Sequence, residues 1–151
     1  MAARARAADD GRMTTADRPL DIYRRFQDYL LTGQFARLPE VADVDHYTEN
    51  CVGLTGWTTG LDTALRNYQE KVMSAFTDMS AAEEDVIESG DALVFRSVVT
   101  AVHSGVFMGI PATGRTVRYD AVDMFRVADG RICWRFLLCD WKGLTDQLTA
   151  A

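Results

Sequence analysis

The chain has 151 residues, of which 48% are hydrophobic and 25% are charged. A chain of this length is expected to form one domain around a single core. Its formal net charge is −6 and it contains no cluster of Lys and Arg. An acidic surface repels the phosphate backbone, so nucleic acid is not an expected partner.

Residues 1–18 are rich in Ala, Arg and Asp and contain few apolar side chains. They are predicted to form a disordered tail ahead of a single domain at 19–151, with Met13 as an alternative start. The tail lacks the apolar segment that secretion or a membrane span requires. The three cysteines include no CxxC pair, and an odd number does not indicate a disulfide framework. The protein is therefore expected in the cytoplasm, away from membranes.

The first half of the chain has the pattern of helices. Apolar residues recur at helical spacing over 20–31 and again over 61–76, which predicts two amphipathic helices. A short helix is expected over 35–38, and a short strand over 43–52. The segment 53–60 is rich in turn-forming residues.

From Met79 onward the apolar period changes to the alternation of β-strands. Four strands are predicted over 81–88, 92–103, 116–127 and 131–140. Asp140 is expected to cap a closing helix over 141–148. Helices followed by consecutive hairpins predict an α+β fold, a cone-shaped α+β barrel. Its curved antiparallel sheet carries the N-terminal helices over the concave face, which leaves a pocket at the open end.

Glycines and turns recur along the chain in a fixed order. They are Gly33, Gly60, Gly105, the loop 109–115, the turn 129–132 and the segment 140–148. In this order and spacing the chain resembles the SnoaL-like polyketide cyclases of the nuclear transport factor 2-like superfamily, over residues 20–148. The resemblance implies a cofactor-independent isomerase or lyase of bacterial antibiotic biosynthesis that closes rings in polyketide intermediates. It also implies a homodimer, expected through the outer face of the sheet.

The resemblance implies roles for individual positions. Asn67 aligns with an asparagine of the third helix, and Asp123 aligns with a histidine that assists aldol cyclases. Leu137 stands at the position of the general acid/base carboxylate, and Trp134 at that of a further histidine. Because leucine transfers no protons, either Asp123 has taken over the acid/base role or the reaction needs less proton transfer than an aldol step.

Strand alternation places Asp123 on an apolar face together with Tyr119. Desolvation there is expected to raise its pKa towards neutrality, although an ion pair with Arg96 or Arg135 is an equal alternative. His103 ends its strand beside the glycine-rich loop and is a third catalytic candidate, because imidazole titrates near pH 7. The alternative is a half-exposed histidine at a strand end.

The predicted substrate contacts combine aromatic side chains with polar and apolar groups of the last strands. They are Tyr29, Trp57, Phe107, Tyr119, Trp134, Arg135 and Leu137. No grouping of His, Cys and carboxylates has the spacing of metal ligands, so no metal site is predicted.

Three functions remain open at this point. The first is a cyclase that folds a flexible chain in an apolar pocket for carbon–carbon ring closure, either pericyclic or run by Asp123 as an aldol step. The second is an epoxide hydrolase or cyclase, dehydratase or hydroxylase of the same fold. Epoxide opening usually needs paired acids, and Asp123 has no evident partner acid. The third is a non-catalytic binding or dimerisation module, which a pocket filled by Trp57, Trp134 and Phe107 would indicate.

Overall fold

The computed structural model describes residues 17–151. The predicted tail falls outside the described residues except for its last two positions. Of these, Arg18 forms an ion pair with Glu88 of the folded domain at 3.1 Å. No helix within the described range is long and apolar enough to cross a membrane.

The N-terminal half contains two α-helices, a 3₁₀ helix and two short strands. They are α1 (Pro19–Leu31), the 3₁₀ helix (Phe35–Glu40), β1 (Thr48–Cys51), β2 (Gly56–Thr59) and α2 (Leu61–Tyr68), which continues as a π-helical turn (Gln69–Met73). Helix α1 matches the helix predicted from periodicity. Its buried residues, Ile22, Tyr23 and Phe26 among them, form the apolar face that the spacing indicated.

The C-terminal half contains the long strands and a closing helix. They are β3 (Phe76–Ser89), β4 (Ala92–His103), β5 (Thr116–Ala128), β6 (Arg131–Cys139) and α3 (Trp141–Thr149). The Asp140 side chain accepts a hydrogen bond from the Gly143 backbone N–H at 2.8 Å. This confirms the predicted N-cap of the last helix.

One curved sheet of six strands has the order β2-β1-β6-β5-β4-β3. All neighbours pair antiparallel except β1 and β6, which are parallel. Because β2 and β3 are edge strands, the sheet stays open. The α+β fold expected from the sequence is confirmed, with the helices on the concave face.

The N-terminal strands differ from the prediction. Strand β2 lies within the segment 53–60, which was predicted to be a loop because of its turn-forming residues. The strand predicted over 43–52 begins only at Thr48, because the Asp43 carboxylate accepts from the backbone N–H groups of Asp45 and His46 and fixes a turn. The helix predicted to reach Phe76 ends earlier, and Phe76 opens β3 instead.

The core consists of two apolar clusters. In the first, α1 packs on the sheet, with the Tyr23 ring centroid 4.3 Å from that of Phe95 and 4.6 Å from that of Phe125. The second surrounds Phe76 and Phe107, whose ring centroids are 4.9 Å apart. Residues of both clusters line a common cavity, which therefore lies between them.

Candidate functional site

The cavity lies between the helices and the concave face of the sheet. Its volume is about 120 Å³. Most of its wall is apolar and includes Phe26, Leu65, Val72, Val99 and Leu137. A cavity on this scale accommodates one aromatic ring.

Three ionisable side chains meet at one wall of the cavity: Glu49, Asp123 and Arg135. We call them the acid–arginine cluster. Arg135 Nε donates to Asp123 Oδ1 at 2.8 Å, and Arg135 Nη1 lies 3.5 Å from Glu49 Oε2. The Tyr47 hydroxyl donates to Glu49 Oε2 at 2.7 Å. No side chain of the cluster is more than 14% exposed.

Strand pairing explains why these groups meet. Glu49 lies opposite Arg135 in the parallel β1–β6 pair, and Asp123 lies diagonally across from Arg135 in the antiparallel β5–β6 pair. Alternation along each strand turns all three side chains towards the helices. The Arg135 guanidinium also lies 5.6 Å from the ring centroids of Phe26 and Phe125, so aromatic faces help to hold it in place.

Burial and the neighbouring charges shift the pKa values of Asp123 and Arg135. Burial raises the pKa of Asp123, and the positive charge of Arg135 opposes that rise without cancelling it. Burial works against the charge of Arg135, but the carboxylates beside it, Asp123 first, raise the guanidinium pKa well above its usual value. One permanent cation is therefore shared by two carboxyl groups. A carboxyl group with a raised pKa beside a fixed cation can both take up and release a proton.

Tyr23 extends the cluster towards α1. Its hydroxyl is buried near the Asp123 carboxyl group and makes no hydrogen bond of standard geometry to any described residue. Burial and the nearby Asp123 charge both raise its pKa, so it remains a protonated donor at neutral pH.

Other polar side chains line the cavity away from the cluster. Asn67 Nδ2 donates to Thr58 Oγ1 at 3.3 Å, which leaves its amide oxygen free of partners in residues 17–151. Tyr119 lies on the same face of β5 as Asp123 and is 6% exposed. Burial raises the pKa of Tyr119 and of Tyr68, so both phenols are protonated hydrogen-bond donors near pH 7.

The predicted residues Asp123, Asn67, Tyr119, Arg135 and Leu137 all line this cavity. The ion pair that the sequence left open for Asp123 exists and is made with Arg135. Arg96, the other partner considered, instead bridges the exposed carboxylates of Asp85 and Asp120, at 3.0 and 2.8 Å.

His103 does not reach the cavity. It is fully buried in the second cluster, where its ring centroid lies 5.4 Å from that of Phe76. Its Nδ1 accepts from the Thr113 backbone N–H at 3.2 Å, and burial lowers its pKa. The half-exposed histidine considered from the sequence is therefore wrong, because strand alternation turns this side chain inward. His103 holds the loop that follows β4.

Four predicted substrate contacts also lie outside the cavity lining. Tyr29 is buried in the first cluster, and its hydroxyl donates to Glu40 of the 3₁₀ helix at 3.0 Å. Phe107 packs in the second cluster. Trp57 and Trp134 lie on the outer face of the sheet, with ring centroids 6.2 Å apart, because their strand positions have the opposite parity to Glu49 and Arg135.

Glu49 and Ser97 line the cavity but are absent from the sequence-based site. Glu49 was missed because β1 has only four residues and its parallel pairing with β6 leaves no local signal. The alternation of Tyr47, Glu49 and Cys51, all buried, could have indicated an inward carboxylate. In the part of the chain that the structure describes, no three His, Cys, Asp or Glu side chains come together as a metal site.

The family model of the SnoaL-like polyketide cyclases matches residues 20–148. No curated protein matches the chain. Among solved structures, IdmH from Streptomyces antibioticus, a proposed polyketide cyclase, is 28% identical with a TM-score of 0.76, over 87% of this chain and 99% of that one.

Two further structures are similar in fold at lower identity. A proposed SnoaL-like polyketide cyclase from Jannaschia is 19% identical, with a TM-score of 0.79 over 88% of this chain and 92% of that one. AclR from Streptomyces galilaeus, a proposed hydroxylase, is 18% identical, with a TM-score of 0.72 over 88% and 82%. The family match covers nearly all of the described residues, and the fold agrees with it. The chain belongs to the SnoaL-like polyketide cyclase family.

Proposed function

We propose that the protein is a polyketide cyclase that closes a carbon–carbon ring in a flexible chain whose reacting part is held in its cavity. The observation that carries this proposal is the acid–arginine cluster at the wall of an otherwise apolar cavity. Holding one folded conformer of the substrate lowers the barrier, because the reacting carbons are already close. The family and the similarity to IdmH support the same activity.

In the proposed reaction, the Asp123 carboxylate takes a proton from the carbon next to a substrate carbonyl. The carbonyl oxygen becomes an enolate, which Arg135 stabilises through Nη2, a nitrogen that makes no hydrogen bond to the described residues. The enolate carbon attacks a second carbonyl, and the resulting alkoxide takes the proton back from Asp123. The second N–H of Asn67 Nδ2 and the Tyr119 hydroxyl donate hydrogen bonds to other carbonyl oxygens of the substrate.

The test is ring formation from a synthetic linear polyketide, followed by liquid chromatography and mass spectrometry. Asp123→Asn keeps an oxygen for Arg135 but removes the base, so we expect the rate to fall roughly 10²–10⁴-fold. Asp120→Asn is the matched control, since Asp120 lies on the same strand with its side chain 55% exposed. An unchanged rate in Asp123→Asn would exclude acid/base work there and favour a pericyclic closure assisted by hydrogen bonds alone.

Epoxide opening is a second candidate, and one observation favours it. Glu49 reaches the same guanidinium as Asp123, so the site holds the paired acids that the sequence did not reveal. Styrene oxide in ¹⁸O-labelled water distinguishes the two reactions. Hydrolysis that is lost in both Glu49→Gln and Asp123→Asn would favour epoxide chemistry, whereas the cyclase proposal needs only Asp123 for proton transfer.

We also propose that two copies of the chain associate through the outer face of the sheet. An apolar row crosses this face in register: Ile87, Val94, Met124, Phe136 and, beyond Asn50, Trp57. Ile87 and Trp57 are 65% and 59% exposed. An apolar strip of this length, crossing a sheet from edge to edge, is typical of a protein–protein interface.

A further inference from the structure

Three short side chains form the floor of the cavity. Ser97 on β4, Ala121 on β5 and Cys139 on β6 lie opposite one another in the sheet register. All three line the cavity. We call them the floor row.

The floor row explains where the free volume comes from. On β5, the neighbours of Ala121 on the same face are Tyr119 and Asp123, both much larger. On β4, Ser97 stands between Phe95 and Val99. The cavity is therefore deepest where the side chains of three adjacent strands are short.

Ser97 adds a polar group to this floor. It is only 2% exposed, and its hydroxyl makes no hydrogen bond to any residue in 17–151. Strand alternation turns the side chain inward, into the cavity, together with its neighbours of equal parity. Because Ser97 lines the cavity, a ligand there can form a hydrogen bond with this hydroxyl and gain affinity from it.

The position of Ser97 relative to the other polar groups is also defined. Asp123 and Tyr119 lie four residues apart on one face of β5, roughly 14 Å along the strand. Ser97 lies opposite the midpoint between them, at Ala121. The concave face thus offers oxygen-binding groups at roughly 7 Å intervals, with the smallest side chains in the middle.

We propose that the floor row is a specificity site that seats one six-membered ring of the substrate, with a ring oxygen hydrogen-bonded to Ser97 Oγ. The ring is a phenol or an enolised cyclic ketone, the products that ring closure of a polyketide gives. Identifying the ring as part of a polyketide rests on the proposed function. Recognition of an oxygenated ring by the floor row does not depend on it.

Two small probes of similar size test the role of Ser97. 4-Fluorophenol carries a hydroxyl where 4-fluorotoluene carries a methyl group, and both are titrated into the full chain by ¹⁹F NMR. We expect the wild type to bind the phenol about fivefold more tightly, the effect of one net hydrogen bond. Ser97→Ala is expected to bring this ratio close to one. Ser89→Ala, at the exposed end of β3, is the control and keeps the wild-type ratio.

A second variant tests the position of the ring. Ala121→Leu places a large side chain in the middle of the floor row and is expected to abolish binding of both probes, with circular dichroism verifying the fold. If that variant does not fold, Ala121→Val fills the row less and is expected to weaken both probes. Undiminished binding in the folded variant, or a Ser97→Ala ratio equal to the wild-type ratio, would overturn the proposal. If the probes bind as expected but no ring forms in the cyclisation assay, the proposed cyclase activity is contradicted and the floor-row proposal is not.

Discussion

At the scale of single residues, the notable feature is that two carboxyl groups share one buried cation. Alternation along β5 predicted correctly that Asp123 faces inward among apolar side chains. Its link to Glu49 could not be predicted, because the two residues are 74 positions apart and meet only through β6. A local pattern indicates which face a side chain occupies, whereas its partner depends on the order of strands.

Arg135→Met tests the energetics of this arrangement. Removing the cation leaves two buried carboxyl groups without a counter-charge, so we expect the free energy of unfolding at pH 7 to fall by about 3–5 kcal/mol. Equilibrium urea denaturation measures the loss. Arg96→Met, which removes an exposed arginine that also bridges two carboxylates, is the matched control and should have little effect.

The loss of unfolding free energy caused by Arg135→Met is expected to depend on pH. Because burial raises the pKa of Asp123 above its usual 3.8, the folded state binds a proton more tightly than the unfolded state. The free energy of unfolding therefore falls as pH rises through the window above 3.8. Without Arg135 the pKa of Asp123 in the folded state rises further, so Asp123 is neutral over a wider range of pH. The loss of unfolding free energy in Arg135→Met should therefore be smaller at pH 4 than at pH 7. A loss independent of pH would mean that lost packing, not charge, is its cause.

At the scale of elements, sequence patterns located the helices and the long strands, but they placed the start of β3 at residue 81 instead of Phe76 and missed the short strand β2. Helix α1 and strand β4 have the predicted bounds to within one residue. Strand β2 was missed because its stability comes from pairing with β1 rather than from its own composition. Edge strands of this kind depend on the tertiary fold.

The loop after β4 packs closely against the end of the π-helical segment at Gly105. A Cβ atom built on Gly105 would lie 2.0 Å from the Ser74 backbone oxygen, at the turn that ends the π-helical segment. Backbone cannot move aside as a flexible side chain does. Gly105→Ala is therefore expected to lower the free energy of unfolding by roughly 1–3 kcal/mol, measured by urea denaturation.

Ser104→Ala is the control for the Gly105 variant, because Ser104 is exposed and adjacent in sequence. A Gly105→Ala variant as stable as Ser104→Ala would mean that the loop and the helical segment can separate without cost. That outcome would show that close packing of this loop does not stabilise the fold.

At the scale of the whole molecule, the two faces of the sheet have different uses. The concave face, under the helices, contains the cavity, the acid–arginine cluster and the floor row. The outer face contains the apolar row that ends at Trp57. From sequence alone, Trp57 and Trp134 were predicted to contact the substrate, because aromatic content does not indicate which side of a sheet a residue occupies. Register decides this, and it places both on the outer face.

Met124 lies near the centre of the apolar row on the outer face and is 39% exposed. If two copies associate there, Met124→Glu buries two carboxylates against an apolar surface, a cost that the interface cannot offset. We therefore expect the wild type to sediment as a dimer in analytical ultracentrifugation and Met124→Glu as a folded monomer. Val106→Glu, at a side chain 65% exposed in the loop after β4, is the control and should remain dimeric. A wild-type monomer, or a Met124→Glu dimer, would contradict this interface.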